Sequence, residues 1–363
     1  MLQTLRFRFL LGAVILCISV VQIFRKSFHP AFLEKPAEAD VLHPPVIREY
    51  QPKYCDNVYQ LFCQKRGVSQ DPTGFVHPDI DGEMQALKIY KDIIRQHRDW
   101  NVEQIDEELV HQIFNPKRRE QVLTAARWVK RQIENFISRQ PRSVFNAQEK
   151  RQILSRIRKT ELELPPPISL YADEPDLFTR NEVYYQRTLD GKMRLRVGGA
   201  FLLIAKSWFN LVFTLAHEWA HSIDPCEIRS AHLSFPAYDR LTACLLQRGL
   251  IISHKTRSEC QENDQLSETF ADWIAVQITA DALASFSTEF QTDQIINAAR
   301  NSVRDLCEQD EDIEIDTLSY PAPRVRIEGI FGNNPHIRHL LGCTLPKKEP
   351  SYCTFESKTT GSL

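Results

Sequence analysis

Between Trp208 and Ile223 the chain is largely apolar except at His217-Glu218-Trp219-Ala220-His221, and that interruption limits what the chain can become more than any other feature. Imidazoles four residues apart project from one face of a helix. Both can therefore reach one metal ion, with the acid that follows the first imidazole lying beside it.

Hydrolytic metal sites of this kind take a third protein ligand and leave a fourth position for water. The segment Ser267-Glu268-Thr269-Phe270-Ala271-Asp272-Trp273 offers an acid pair at i, i+4, again on one helical face. Glu268 is the expected third metal ligand. Asp272 is then expected to accept a hydrogen bond from the other ring nitrogen of His217, fixing its tautomer and orientation. Taken alone, the pair reads as a solvated helix face. Joined to the histidine motif, it reads as the remainder of a metal site.

These segments resemble the neprilysin-like gluzincin metallopeptidases. HEWAHSID, ending at Ser222, Ile223 and Asp224, is similar to that family's zinc motif, and ETFAD is similar to its acid motif. Cys55-Asp56-Asn57-Val58-Tyr59-Gln60-Leu61-Phe62-Cys63 resembles the amino-terminal motif of two cysteines eight apart. Tyr320-Pro321-Ala322-Pro323-Arg324-Val325-Arg326 resembles the segment in which the family places a histidine and, six residues later, an arginine. The resemblance implies a mostly helical α+β fold, one zinc ion held by His217, His221 and Glu268, and Glu218 as catalytic base. It gives Arg326 the binding of a substrate carbonyl or carboxylate through a planar fork; an exposed salt bridge is the other reading. Tyr320 stands where the family has histidine, and a phenol can donate the same hydrogen bond to a developing oxyanion. The family's substrate-binding Asn-Ala pair has no clean counterpart here, where the region reads Asn181-Glu182-Val183-Tyr184-Tyr185.

With 42% hydrophobic and 25% charged residues the chain has ordinary globular composition, and a net charge of -2 leaves no electrostatic footprint for nucleic acid. Arg6 and Arg8 precede an uncharged apolar run over 9–24, closed by Arg25 and Lys26. This reads as a signal anchor or signal peptide, with 1–8 as a cytosolic tail and the proline-rich 25–52 as a stalk. The catalytic part is expected to be extracytoplasmic, membrane-anchored or secreted. Setting Cys17 aside, Cys55, Cys63, Cys226, Cys244, Cys260, Cys307, Cys343 and Cys353 form an even set, which in an exported chain invites disulfides. The resemblance implies Cys55 with Cys343, Cys63 with Cys307 and Cys244 with Cys353, leaving Cys226 and Cys260 as a further pair; Cys226 as a metal ligand is the competing reading.

Apolar residues at threes and fours predict helices over Glu83–Arg98, Val102–Phe114, Arg118–Arg139 and Asn146–Glu161, and Pro165-Pro166-Pro167 stops that pattern. Segments Asn181–Gln186 and Lys192–Leu203 around Asp190-Gly191 predict a hairpin that places an edge strand beside the histidine helix. The expected division is a helical lobe over 53–164 and a catalytic domain over 165–363. The lobe is much smaller than the family's, which implies a more open site admitting longer polypeptides. The expected function is zinc-dependent hydrolysis of peptide bonds in extracytoplasmic peptides or proteins. Alternatives are an inactive membrane-anchored protein that retains zinc for binding or assembly, whose fourth metal position Asp224 or Cys226 would close, and a zinc hydrolase of another amide, as in cell-wall peptide.

Overall fold

The computed structural model describes residues 53–63, 71–73, 82–113, 116–164, 180–203, 206–251, 265–288, 290–307, 320–344 and 352–357. The expected cytosolic tail, anchor and stalk, Pro165–Pro167 and Cys260 lie outside the described residues. Among those described, no helix is long and apolar enough to cross a membrane.

The chain is mostly helical with a small three-stranded sheet. After a tight turn at Lys53–Asp56 come α1 (Val58–Cys63), α2 (Gly82–Gln96), α3 (Val102–Ile113), α4 (Pro116–Arg139) and α5 (Ala147–Lys159). These match the helices read from periodicity to within a few residues. In α4, Val122, Ala125, Ala126, Val129, Ile133 and Ile137 are buried, a stripe at helical spacing that packs along the histidine helix. Helix α5 begins at Asn146, whose side chain accepts from the backbone N–H groups of Gln148 and Glu149 while Glu149 reaches back to the Asn146 N–H. It ends at Lys159, two residues before the sequence pattern suggests, because Thr160 turns extended and leads into a strand.

That strand, β1 (Glu161–Glu163), pairs parallel with β3 (Met193–Val197), and β2 (Val183–Arg187) pairs antiparallel with β3, in the order β1-β3-β2. The expected hairpin forms, turning at Gly191 with φ of 80°. Its second strand stops at Val197 rather than running on to Leu203, which belongs instead to α6 (Gly199–Leu203). The reason is Gly198. Its N–H donates to the Glu182 carbonyl at 2.8 Å, and a Cβ there would sit 2.1 Å from the Arg180 carbonyl oxygen. Backbone crosses backbone at that point, the ladder closes, and the chain turns away.

The remaining elements are α7 (Trp208–His221), α8 (Pro225–Ser230), α9 (Pro236–Gln247), α10 (Gln265–Ala284), α11 (Thr292–Ser302), α12 (Arg304–Cys307), a π-helix (Val325–Phe331) and α13 (Pro335–Leu340). Helices α7 and α10 form the centre. Both are apolar around most of their circumference, so neither has a broad face to give to solvent, and they pack side by side along their lengths. One continuous core reaches from Cys55 through α4, α5 and α7 to α10 and Phe355, so the residues on both sides of the expected 164/165 boundary share it. Disulfides join Cys55 to Cys343, Cys63 to Cys307 and Cys244 to Cys353, as the resemblance implied. Cys226 is also disulfide-bonded.

Candidate metal centre

The side-by-side packing of α7 and α10 turns two i, i+4 pairs toward each other, His217 and His221 from one helix, Glu268 and Asp272 from the other. Nε2 of His217 lies 3.3 Å from Nε2 of His221 and 3.1 Å from Oε2 of Glu268. The third side of the triangle, His221 Nε2 to Glu268 Oε2, is 3.6 Å. Three ligand atoms thus converge, partly shielded from solvent, in an arrangement that can hold a metal ion.

The other ring nitrogens fix the orientation of those rings. His217 Nδ1 lies 2.9 Å from Asp272 Oδ1, and a carboxylate can only accept, so the ring hydrogen sits on Nδ1 and Nε2 faces the triangle. Asp272 is held in turn by Arg326, whose Nε donates to Oδ2 at 2.6 Å and whose Nη2 donates to Oδ1 at 2.9 Å. His221 Nδ1 faces Asp224 Oδ2 at 3.2 Å and Ser267 Oγ at 3.1 Å, and the Ser267 hydroxyl itself donates to Asp224. Asp224 also caps α8 by accepting from the backbone of Cys226 and Glu227. Its carboxylate therefore lies behind His221, on the side away from the triangle, and Cys226 is committed to its disulfide. Neither occupies the place of a further ligand.

Glu218 is anchored from the other direction. The backbone N–H of Tyr185 on edge strand β2 donates to Oε2 at 2.8 Å, while Oε1 lies 4.0 Å from His217 Nε2, at the rim of the triangle. The edge strand beside α7 is thus in place. Tyr185, whose ring also stacks 6.3 Å from that of His221, had no role in the sequence reading. The contact is made by a backbone N–H, which no residue letter reports.

No family model matches the chain, and no curated protein matches it. The chemistry therefore rests on the residues themselves.

Burial disfavours the charged form of His217, but its hydrogen bonds to Asp272 and then Glu268 prevail and raise it to about 10. His221 moves up too, burial opposed chiefly by Asp224. Burial would raise both Glu268 and Asp272. The His217 hydrogen bond holds Glu268 below its ordinary range, and the Arg326 charge and fork hold Asp272 far below it. Glu218 is raised by burial, against the pull of the two histidines. The carboxylates of Glu218, Glu268, Asp272 and Asp224 thus surround the two imidazoles, a setting that favours positive charge on or between those rings.

Arg326 is 4% exposed, so the exposed salt-bridge reading does not hold. Two of its N–H groups are committed to Asp272, and its guanidinium carbon lies 5.0 Å from the centre of the Tyr320 ring. Tyr320 is 43% exposed. Its phenol is pushed up by partial burial and then by the charges of Glu268 and Glu218.

Proposed function

We propose that the chain is a zinc-dependent endopeptidase of the neprilysin-like gluzincin kind, acting on extracytoplasmic peptides or proteins. The observation that carries this reading is the ligand triangle. Bonds of about 2.0–2.1 Å to a tetrahedral ion set its ligand atoms about 3.3–3.4 Å apart, and the three sides here are 3.3, 3.1 and 3.6 Å. Calcium, with oxygen ligands at about 2.3–2.6 Å, calls for a wider cage without imidazole. Two imidazoles and one carboxylate form the ligand set of open, hydrolytic zinc sites. When bound, the ion supplies Lewis acidity that polarises a peptide carbonyl and acidifies a water molecule.

The chain's own groups do the rest. Glu218 Oε1, at the rim of the triangle, takes a proton from the attacking water and returns it to the leaving amine, while the Tyr185 N–H holds Oε2 still. The Tyr320 hydroxyl donates to the oxyanion as it develops. Asp272 keeps His217 in the tautomer with Nε2 inward, and Arg326 acts as a positioning residue by bracing Asp272. Strand β2 is an edge strand of the sheet beside the triangle, the position from which backbone groups can hold an extended substrate. The disulfides suit an oxidising compartment.

Zinc quantification with a peptide-library digest tests the reading directly. The wild-type chain is expected to hold one zinc ion and cleave internal peptide bonds, and Glu218→Gln to keep the metal while losing at least about 10²-fold in turnover. A Glu218→Gln protein that cleaves at the wild-type rate removes Glu218 as base. The alternative of an inactive zinc-binding protein draws on the Tyr185 N–H that already occupies one oxygen of Glu218; metal without any hydrolysis in the wild type would select it.

A further inference from the structure

A second concavity lies beside the π-helix, between that helix, the turn at Lys53–Asp56 and the end of α9. It encloses about 550 Å³, and its walls carry Arg248, Arg324 and Arg338 together with Asp56 and Glu328. That volume suits a small molecule. The walls sum to one positive charge.

Arg338 is the informative wall. It is 6% exposed, yet among the described residues its hydrogen-bond acceptors are all neutral main-chain carbonyls. Nε donates to Thr344 at 3.1 Å, and Nη1 donates to Cys55 and Gly332 at 3.4 Å each. Nη2 takes part in none of these bonds. A buried guanidinium without a hydrogen-bonded counter-charge is an expensive arrangement, and burial accordingly holds Arg338 below its usual range, with the charge of Asp56 opposing. Arg324 is tied only loosely, 4.0 Å from Glu328 in a largely exposed pair and stacked over Tyr59. Exposed pairs of this kind are worth little and re-form readily around a ligand.

We propose that this cleft binds a small oxyanion, a carboxylate or phosphate group, with Arg338 as the buried recognition group and Arg248 and Arg324 closing over it. Guanidinium forks match the planar or tetrahedral oxygens of such groups, and the buried charge then gains a hydrogen-bonded counter-charge that the described residues do not provide. The site is separate from the metal centre and does not depend on any peptidase activity.

Calorimetric titration of the full chain with inorganic phosphate and, separately, with citrate at constant ionic strength tests the proposal, and whichever anion saturates identifies the class. Saturable binding is expected, weakened about tenfold by each of Arg248→Gln and Arg324→Gln and abolished by Arg338→Gln. Arg338→Lys, which keeps the charge and loses the fork, is expected to weaken binding as well. Should Arg338→Gln fail to fold because its carbonyl contacts are lost, the two exposed-arginine variants decide. The absence of saturable heat at millimolar concentrations of both anions overturns the proposal, as does binding that Arg248→Gln and Arg324→Gln leave unchanged.

Discussion

Asp272 serves a cation and an imidazole at once. It accepts two N–H groups from Arg326 and one from His217 in a setting that is 1% exposed. Removing its charge takes from a buried guanidinium the carboxylate that accepts two of its N–H groups, and breaking a buried pair from one side costs about 3–5 kcal/mol. Asp272→Asn is therefore expected to lower stability by about that amount in urea denaturation and to weaken metal affinity about 10–100-fold in a competition assay with a chelator. Arg326→Lys keeps a charge but cannot present two parallel donors, so it is expected to lose metal affinity with less loss of stability. Tyr320→Phe separates ring from hydroxyl. It keeps the stack on Arg326, and if the phenol meets the oxyanion, kcat falls about 10²–10³-fold with metal content and KM little changed; an unchanged kcat ends that role. His217, His221, Glu268 and Asp272 were readable because i, i+4 spacing converts sequence directly into a shared helical face. Ser267 and the Tyr185 N–H were not, since the first needs the relative depth of two helices and the second is main chain.

At the scale of elements, helix α10 shows what periodicity cannot say. Its buried positions cover most of the circumference, with Asp281 and Ala284 exposed, so no narrow stripe reveals which neighbour it faces. The acid pair gives that direction, because carboxylates in such surroundings need the histidines opposite. Strand ends were harder still. Val197 and Leu203 look equally strand-like in sequence, and only the crossing of Gly198 over the Arg180 backbone separates them. Gly198→Ala is expected to cost about 1–3 kcal/mol through overpacking and, by pushing β2 off its line, to lower activity more than stability alone accounts for, as paired melting and turnover measurements would show. The carboxyl-terminal segment is held by a different device. Phe355 is buried against Phe145, Tyr238 and Trp273, and Trp273 Nε1 donates to the Cys353 carbonyl at 2.8 Å. Replacing Cys353 by Ser opens a bridge spanning 109 residues, with an expected loss of about 2–5 kcal/mol and release of that segment to proteolysis.

For the molecule as a whole, the metal centre and the core are one object, since the helices that bear the ligands are also those that fill the interior. An ion present at about 1,000 times its Kd adds about 4 kcal/mol. Stripping it with a chelator is therefore expected to lower Tm by roughly 10 °C, recovered on adding zinc; an unchanged Tm would mean that the triangle is not loaded. Core and helix content were legible from composition and periodicity, whereas the sharing of one core across the proline-rich boundary was not, because hydrophobic stripes do not name their partners. The bridge from Cys55 to Cys343 spans 288 residues, so at about 5–20 residues per second the first cysteine waits roughly 15–60 s for its mate to be synthesised. Over that interval α1 has no π-helix to rest on. Closure of this bridge is thus a late event, governed by whatever guards the waiting thiol and apolar surface in the meantime.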